Sequence, residues 1–149
     1  MTQLTERLTI PKYEKPQEYL NRTICQISDY QQPDRVRLRV PLSGIGEGPA
    51  LQKEVEVVYR SKPGAPDHAW NVRWKADGRF YPDFDGTLAV ERDDRTGDDA
   101  LVLAGEYEPP LGAAGKAFDA VLGARIASAT AREFLRAIAQ QMEQERRHS

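Results

Sequence analysis

Close to where the last apolar strand pattern gives way to a long helical run, the chain gathers Glu106, Tyr107, Glu108, Asp119 and Arg125. These residue types could do chemistry together: Tyr107 and Arg125 can bind or polarise a carbonyl, and Asp119 can act as a base. Strand alternation, however, turns Glu106 and Glu108 outward, and Asp119 falls in the first turns of a helix, where a solvated carboxylate is ordinary. Arg125 shares a helical side with Phe118, Val121 and Leu122; a guanidinium there either snorkels to solvent or meets a polar group inside a pocket. No serine sits in a nucleophile elbow. The single cysteine, Cys25, has only His68 and His148 in the whole chain to activate it, and is read as a small, half-buried apolar residue. One cysteine and two separated histidines cannot build a tetrahedral zinc site. No catalytic residue, metal or cofactor is therefore assigned.

Residues 83–88, DFDGTL, have the letters of the nucleophile motif of haloacid-dehalogenase-like phosphatases, in which two aspartates act beside Mg²⁺. That motif ends an apolar parallel strand at the start of alternating β-α units. Here GRFYP precedes it, and only a hairpin and one helix come after it. Asp85–Gly86 is read instead as a bend entering a strand, with glycine allowing a close approach or a bulge.

Periodicity gives the elements that would position these groups. In residues 35–42, Val36, Leu38, Val40 and Leu42 alternate with Arg35, Arg37 and Arg39; in 53–60, Val55, Val57 and Tyr59 alternate with Glu54 and Glu56. An arginine row beside a glutamate row suits neighbouring antiparallel strands with cross-strand charge pairs, which removes the reading of the arginines as a phosphate site. The glycine-rich stretch 43–52 between them is a loop, and its G-x-G-x-G is followed by a strand where a nucleotide fingerprint needs a helix. Residues 62–67 (KPGAPD) form a turn. Trp70, Val72 and Trp74, then Phe84, Gly86, Leu88 and Val90, then Leu101, Leu103, Gly105 and Tyr107 give three more inner faces, the last two joined by a polar hairpin loop centred on Gly97. Residues 4–10 suit a short first strand, and 16–28 a helix with proline at its start and Tyr19, Leu20, Ile24 and Ile27 on one face, although 23–28 can also be read as a strand. Pro109 and Pro110 stop the last strand. A helix is expected over 112–144, with alanine, arginine, glutamate and glutamine dominating it.

That helix has two apolar stripes. Leu111, Ala114, Phe118, Val121, Leu122 and Ala129 fall on one side, and Ala127, Ala131, Phe134, Leu135, Ile138 and Met142 nearly opposite. Either it kinks near Gly123 and both halves pack on the core, or its N-terminal half borders a cavity. The inward aromatics Tyr59, Trp70, Trp74, Phe84, Tyr107 and Phe118 exceed what a tight core needs, so with Leu122 and Arg125 they are the candidate ligand-binding residues.

One domain over 1–149 accommodates all of this, with 1–34 weakly marked, a β-meander at 35–108 and the helix at 112–144. The fold class is α+β: a curved antiparallel sheet wrapped around a long C-terminal helix. A net charge of −2 excludes nucleic-acid or membrane-surface binding driven by bulk electrostatics. The lone cysteine and the absence of an apolar leader at the N-terminus or of any run of about 18 apolar residues lead to the expectation of a cytoplasmic location without membrane insertion.

The order strand, helix, meander and then GEYEPPLGAAGKAFDAVLGARIASATAREFLRAI resembles the SRPBCC superfamily, also called START or polyketide-cyclase-like, and above all its bacterial members that enter the last helix through Pro-Pro-Leu-Gly. The resemblance covers roughly 35–142. It implies a helix-grip fold with an apolar cavity between the sheet and the C-terminal helix. A small hydrophobic or aromatic ligand of lipid or polyketide type is the function it implies first. A cyclase- or dehydratase-like enzyme using pocket groups, and a protein-interaction module without a ligand, are the other two; a homodimer is compatible with each. Members share no catalytic motif, so none is transferred.

Overall fold

The computed structural model describes residues 2–27, 34–41, 50–61, 69–75, 83–108 and 120–148, those at 34–41, 50–54, 61, 120–123 and 148 by their backbone alone. Its elements in chain order are β1 (Thr2–Ile10), α1 (Pro16–Ile27), β2 (Asp34–Pro41), β3 (Ala50–Ser61), β4 (Trp70–Lys75), β5 (Asp83–Arg92), β6 (Asp99–Glu108) and α2 (Ala120–His148). All six strands form one sheet in the order β1-β6-β5-β4-β3-β2, every pairing antiparallel. The chain is thus a meander from β2 to β6 whose last strand lies beside the first. Only the passage from β1 through α1 to β2 crosses from one edge to the other.

Alternation dictates the faces. Val55, Val57, Val72, Leu88 and Leu103 are fully buried, and Trp74, Phe84 and Tyr107 nearly so, while Glu56, Arg73 and Lys75 are exposed. Arg35 stands opposite Glu56 and Arg37 opposite Glu54 in the β2–β3 ladder, the register that the two alternating rows led to. β3 begins at Ala50, inside the stretch expected as loop, because Ala50, Leu51 and Gln52 continue the ladder opposite Pro41, Val40 and Arg39. Ala-Leu-Gln carries no apolar–charged alternation, so nothing in its pattern announces a strand. Gly97 closes the β5–β6 hairpin at φ 73°, its N–H donating to the Asp93 carbonyl at 2.7 Å.

α2 spans 29 residues, about 43 Å at the usual helical rise. Its buried stripe is Ala127, Ala131, Phe134, Leu135, Ile138 and Met142, together with Ile126 and Thr130. This is the second of the two stripes expected; of the first, Leu111, Ala114 and Phe118 lie outside the described residues, Val121 and Leu122 are described by their backbone alone, and Ala129 is half-buried. The helix runs four residues past the expected end at 144, where Arg146 pairs with Glu143 at 3.6 Å. Its backbone comes closest to the two edge strands β1 and β2, then to β6. Closeness at the edges, with aromatic side chains between helix and sheet at the centre, describes a concave sheet gripping the helix.

α1 buries Leu20, Thr23 and Ile24, with Tyr19 and Ile27 half-buried. Cys25, expected half-buried, is exposed, because it follows the buried pair Thr23–Ile24 onto the outer side of the helix.

Candidate functional site

Antiparallel pairing sets the inner-face rows. Trp74 stands between Val57 on β3 and Phe84 on β5, and Phe84 in turn lies opposite Tyr107 on β6. The Trp74 and Phe84 rings stack at 4.6 Å. From the helix, Phe134 reaches Trp74 at 5.1 Å and Tyr59 at 6.4 Å. Four of the eight residues expected at a ligand site, Tyr59, Trp74, Phe84 and Tyr107, are therefore buried on one face. Two of them, Tyr59 and Trp74, are linked through Phe134, which belongs to the helix stripe and was not among the eight. Its spacing with Ala131, Leu135 and Ile138 marked it as a core residue, and the aromatic rows across the sheet were the only signal that it would meet them.

Gly86 and Gly105 lie opposite each other in the middle of this face. A Cβ at Gly86 would stand 2.3 Å from the Ala104 carbonyl oxygen and 2.5 Å from the Phe84 ring. The two glycines let β5 and β6 approach closely and give the Phe84 ring its place over the strand, the role expected of Gly86.

The other four expected residues go elsewhere. Trp70 is half-buried at the opposite end of β4, where its Nε1–H donates to Asn21 Oδ1 of α1 at 2.8 Å. Arg125 is exposed; it precedes Phe134 by nine residues, which puts it about half a turn round the helix from the buried stripe. Of the two outcomes left open for Arg125, the described side chain shows the exposed one: the stripe that packs on the sheet is the one that faces away from it. Leu122 lies in α2, in the part described by its backbone alone, and Phe118 lies outside the described residues, as does most of the expected cavity wall at the start of the helix.

Tyr107 is distinctive among the buried polar groups. It is 4% exposed, and its hydroxyl makes no hydrogen bond among the described residues. Thr23 and Thr130 donate to the carbonyls of Tyr19 and Ile126 at 2.9 and 2.8 Å, and Asp99 meets Arg92 at 3.4 Å. Tyr13, between β1 and α1, donates to Glu143 Oε1 at 2.8 Å. Its pKa is pushed up to about 12, by burial first and then by the hydrogen bond and negative charge of Glu143, with Arg146 pulling the other way.

Hollows lined by described residues include two that lie away from the start of α2. One of about 240 Å³ opens where β4, β5 and β6 end, lined by Trp74, Phe84, Arg73, Lys75, Asp83 and Glu108 among others. The other, about 290 Å³, lies at the start of α1 against Val90, Arg92 and Asp99. Asp83 and Asp85 of the DFDGTL stretch project from a strand between two antiparallel neighbours, with Asp85 bound to Arg73 at 2.9 Å. No group of three histidine, cysteine or acidic side chains among the described residues could hold a metal ion. No helix among them is long and apolar enough to cross a membrane. No family model, no curated protein and no solved structure matches the chain.

Proposed function

We propose that the chain is a helix-grip domain of the SRPBCC type and that it binds a small hydrophobic ligand between the concave sheet and α2. The single observation that carries this reading is the way the sheet meets the helix. The helix backbone approaches the two edge strands, while the central strands meet it through Trp74 and Tyr59, with Phe84 stacked on Trp74. Separation of helix and sheet at the centre is what a ligand space between them requires, and an apolar lining with few polar groups suits a lipid- or polyketide-like molecule. The element order, a strand, a helix, a meander and then a long helix, is the order on which the resemblance rests.

Uptake of N-phenyl-1-naphthylamine, whose emission rises in apolar surroundings, tests the reading, alongside native mass spectrometry of the purified protein. A saturable rise in emission, or a small molecule released on denaturation, is expected. A bare protein mass combined with no uptake of the probe would end the proposal.

A further inference from the structure

A buried phenol almost always finds a hydrogen-bond partner, because its hydroxyl gives up water on burial. Tyr107 has none among the described residues, at 4% exposure, whereas Thr23, Thr130, Tyr13 and Asp99 are all partnered. Its place makes the exception informative. It is on the inner face, opposite Phe84 on one side and Thr2 on the other, at the end of the sheet where β4 and β6 stop and β5 starts. Phe84, its cross-strand neighbour, borders the hollow that opens at this end, although Tyr107 itself does not line it.

Resting on the ligand-binding reading above, we propose that the Tyr107 hydroxyl is the polar anchor of the site. The group it takes is a neutral oxygen, a hydroxyl or a carbonyl, on an otherwise apolar molecule. The charges nearby decide between neutral and ionic partners. Glu106 and Glu108 flank Tyr107 along β6, and Asp85 and Asp83 stand opposite them on β5, so four carboxylates lie across the sheet from the phenol. The basic side chains that could offset an anionic ligand are occupied or turned away: Arg132 pairs with Glu6, Arg92 with Asp99 and Arg73 with Asp85, Lys75 alternates to the outer face opposite Glu56, and Arg125 is exposed. A carboxylate ligand would enter a negative field without a counter-charge. An ammonium would shed its water for a single phenolic acceptor. A hydroxyl or carbonyl needs one partner, and a phenol can both donate and accept.

The test compares wild type with Tyr107→Phe, which keeps the ring and its packing, using 1-naphthol, naphthalene and 1-naphthoate to displace N-phenyl-1-naphthylamine. In wild type, 1-naphthoate should be the weakest competitor. In the variant, 1-naphthol should weaken about fivefold while naphthalene is unchanged or slightly stronger. The melting temperature of the free variant should stay level or rise, since an unpartnered hydroxyl has been removed. A fall in melting temperature would show that the hydroxyl holds a partner within the protein, and would overturn the inference. So would competition in which 1-naphthoate ranks first or the variant treats all three compounds as wild type does. If wild type takes up no probe, the ligand-binding reading itself fails, which separates the two results.

Discussion

The two ends of the inner face handle their polar atoms in opposite ways. At the end covered by α1, side chains tie helix to sheet. Gln17 Oε1 accepts from the Val90 amide at 2.9 Å, Gln17 Nε2 and Trp70 Nε1 both donate to Asn21 Oδ1, and Tyr13 reaches α2 through Glu143. At the end where β4 and β6 stop, aromatic rings stack, two glycines let the strands close up, and the Tyr107 hydroxyl goes without a partner among the described residues. Gln17, Asn21 and Trp70 at the first end are half-buried and Tyr13 is buried, and Trp74, Phe84 and Tyr107 at the second are buried. A fully bonded polar network fixes geometry, whereas an open hydroxyl in apolar surroundings leaves room for a molecule that brings its own polar atom. The difference assigns scaffolding to one end and binding to the other.

Trp74→Ala strikes this comparison hardest. With Trp74 at 2% exposure, stacked on Phe84 and touching Phe134, truncation should remove about 3–5 kcal/mol of stability, read from denaturant unfolding. A loss below about 2 kcal/mol would mean that the ring borders empty space, and would move the ligand hollow towards Phe134.

Gly86→Ala comes next. The new Cβ meets backbone, the Ala104 oxygen at 2.3 Å and the Gly105 Cα at 2.8 Å, so β5 and β6 must part. Overpacking of this kind costs about 1–3 kcal/mol, and the upper half of that range is expected because main chain yields less readily than a side chain. Amide exchange of β5 and β6 should quicken at the same time. A variant as stable as wild type would show that the strands have slack at this point.

Much of the sheet was legible because charge rows mark its outer face: Arg35 and Arg37 found Glu56 and Glu54, and the parity of Val55, Val72 and Leu88 came with them. β1 was harder to read, since it buries Leu4 and Ile10 yet places Glu6 on its inner side, bound to Arg132 at 3.8 Å. An inward charge suits an edge strand and blurs its alternation. The candidate site was half legible. Aromatics at alternate positions predict a shared face, but not which end of a strand they occupy, and Trp70 went to α1 while Trp74 went to Phe134. The side chain of Arg125 was left open between solvent and pocket because a helix with two stripes does not reveal which one meets the sheet. Gln17, Asn21 and Tyr13 carried no signal, their partners being 73, 49 and 130 residues away.

Asn21→Leu addresses the scaffolding end. It keeps the side chain's bulk but leaves the Trp70 N–H and the Gln17 amide without their shared acceptor. Both sites are half-buried, so water relieves part of the loss, and a cost of about 1–2 kcal/mol is expected. The near-ultraviolet circular dichroism of Trp70 should change while probe uptake at the other end does not. If uptake falls in step with stability, the two ends are not independent and the division of labour fails.

The smallest effect is expected at Tyr13, where pH gives it a signature of its own. Tyr13→Phe removes the bond to Glu143, but that carboxylate keeps Arg146 at 3.6 Å and is partly solvated, so the loss near neutral pH should be about 1 kcal/mol. The Tyr13 pKa lies near 12 in the folded protein against about 10 for an ordinary tyrosine. Because the folded value is the higher, the unfolded chain ionises first as pH rises. The stability this phenol contributes is complete below pH 10 and declines between about pH 10 and 12. Lysines and the other tyrosines titrate there too, so the quantity to measure is the stability of wild type minus that of the variant, by urea unfolding at several pH values. That difference should be constant up to about pH 10 and shrink towards pH 12. In parallel, phenolate absorbance in wild type should show a late-ionising tyrosine that the variant lacks. A difference that stays flat to pH 12 would mean that Tyr13 ionises as an ordinary phenol and that the Glu143 contact does not hold α2 to the segment after β1.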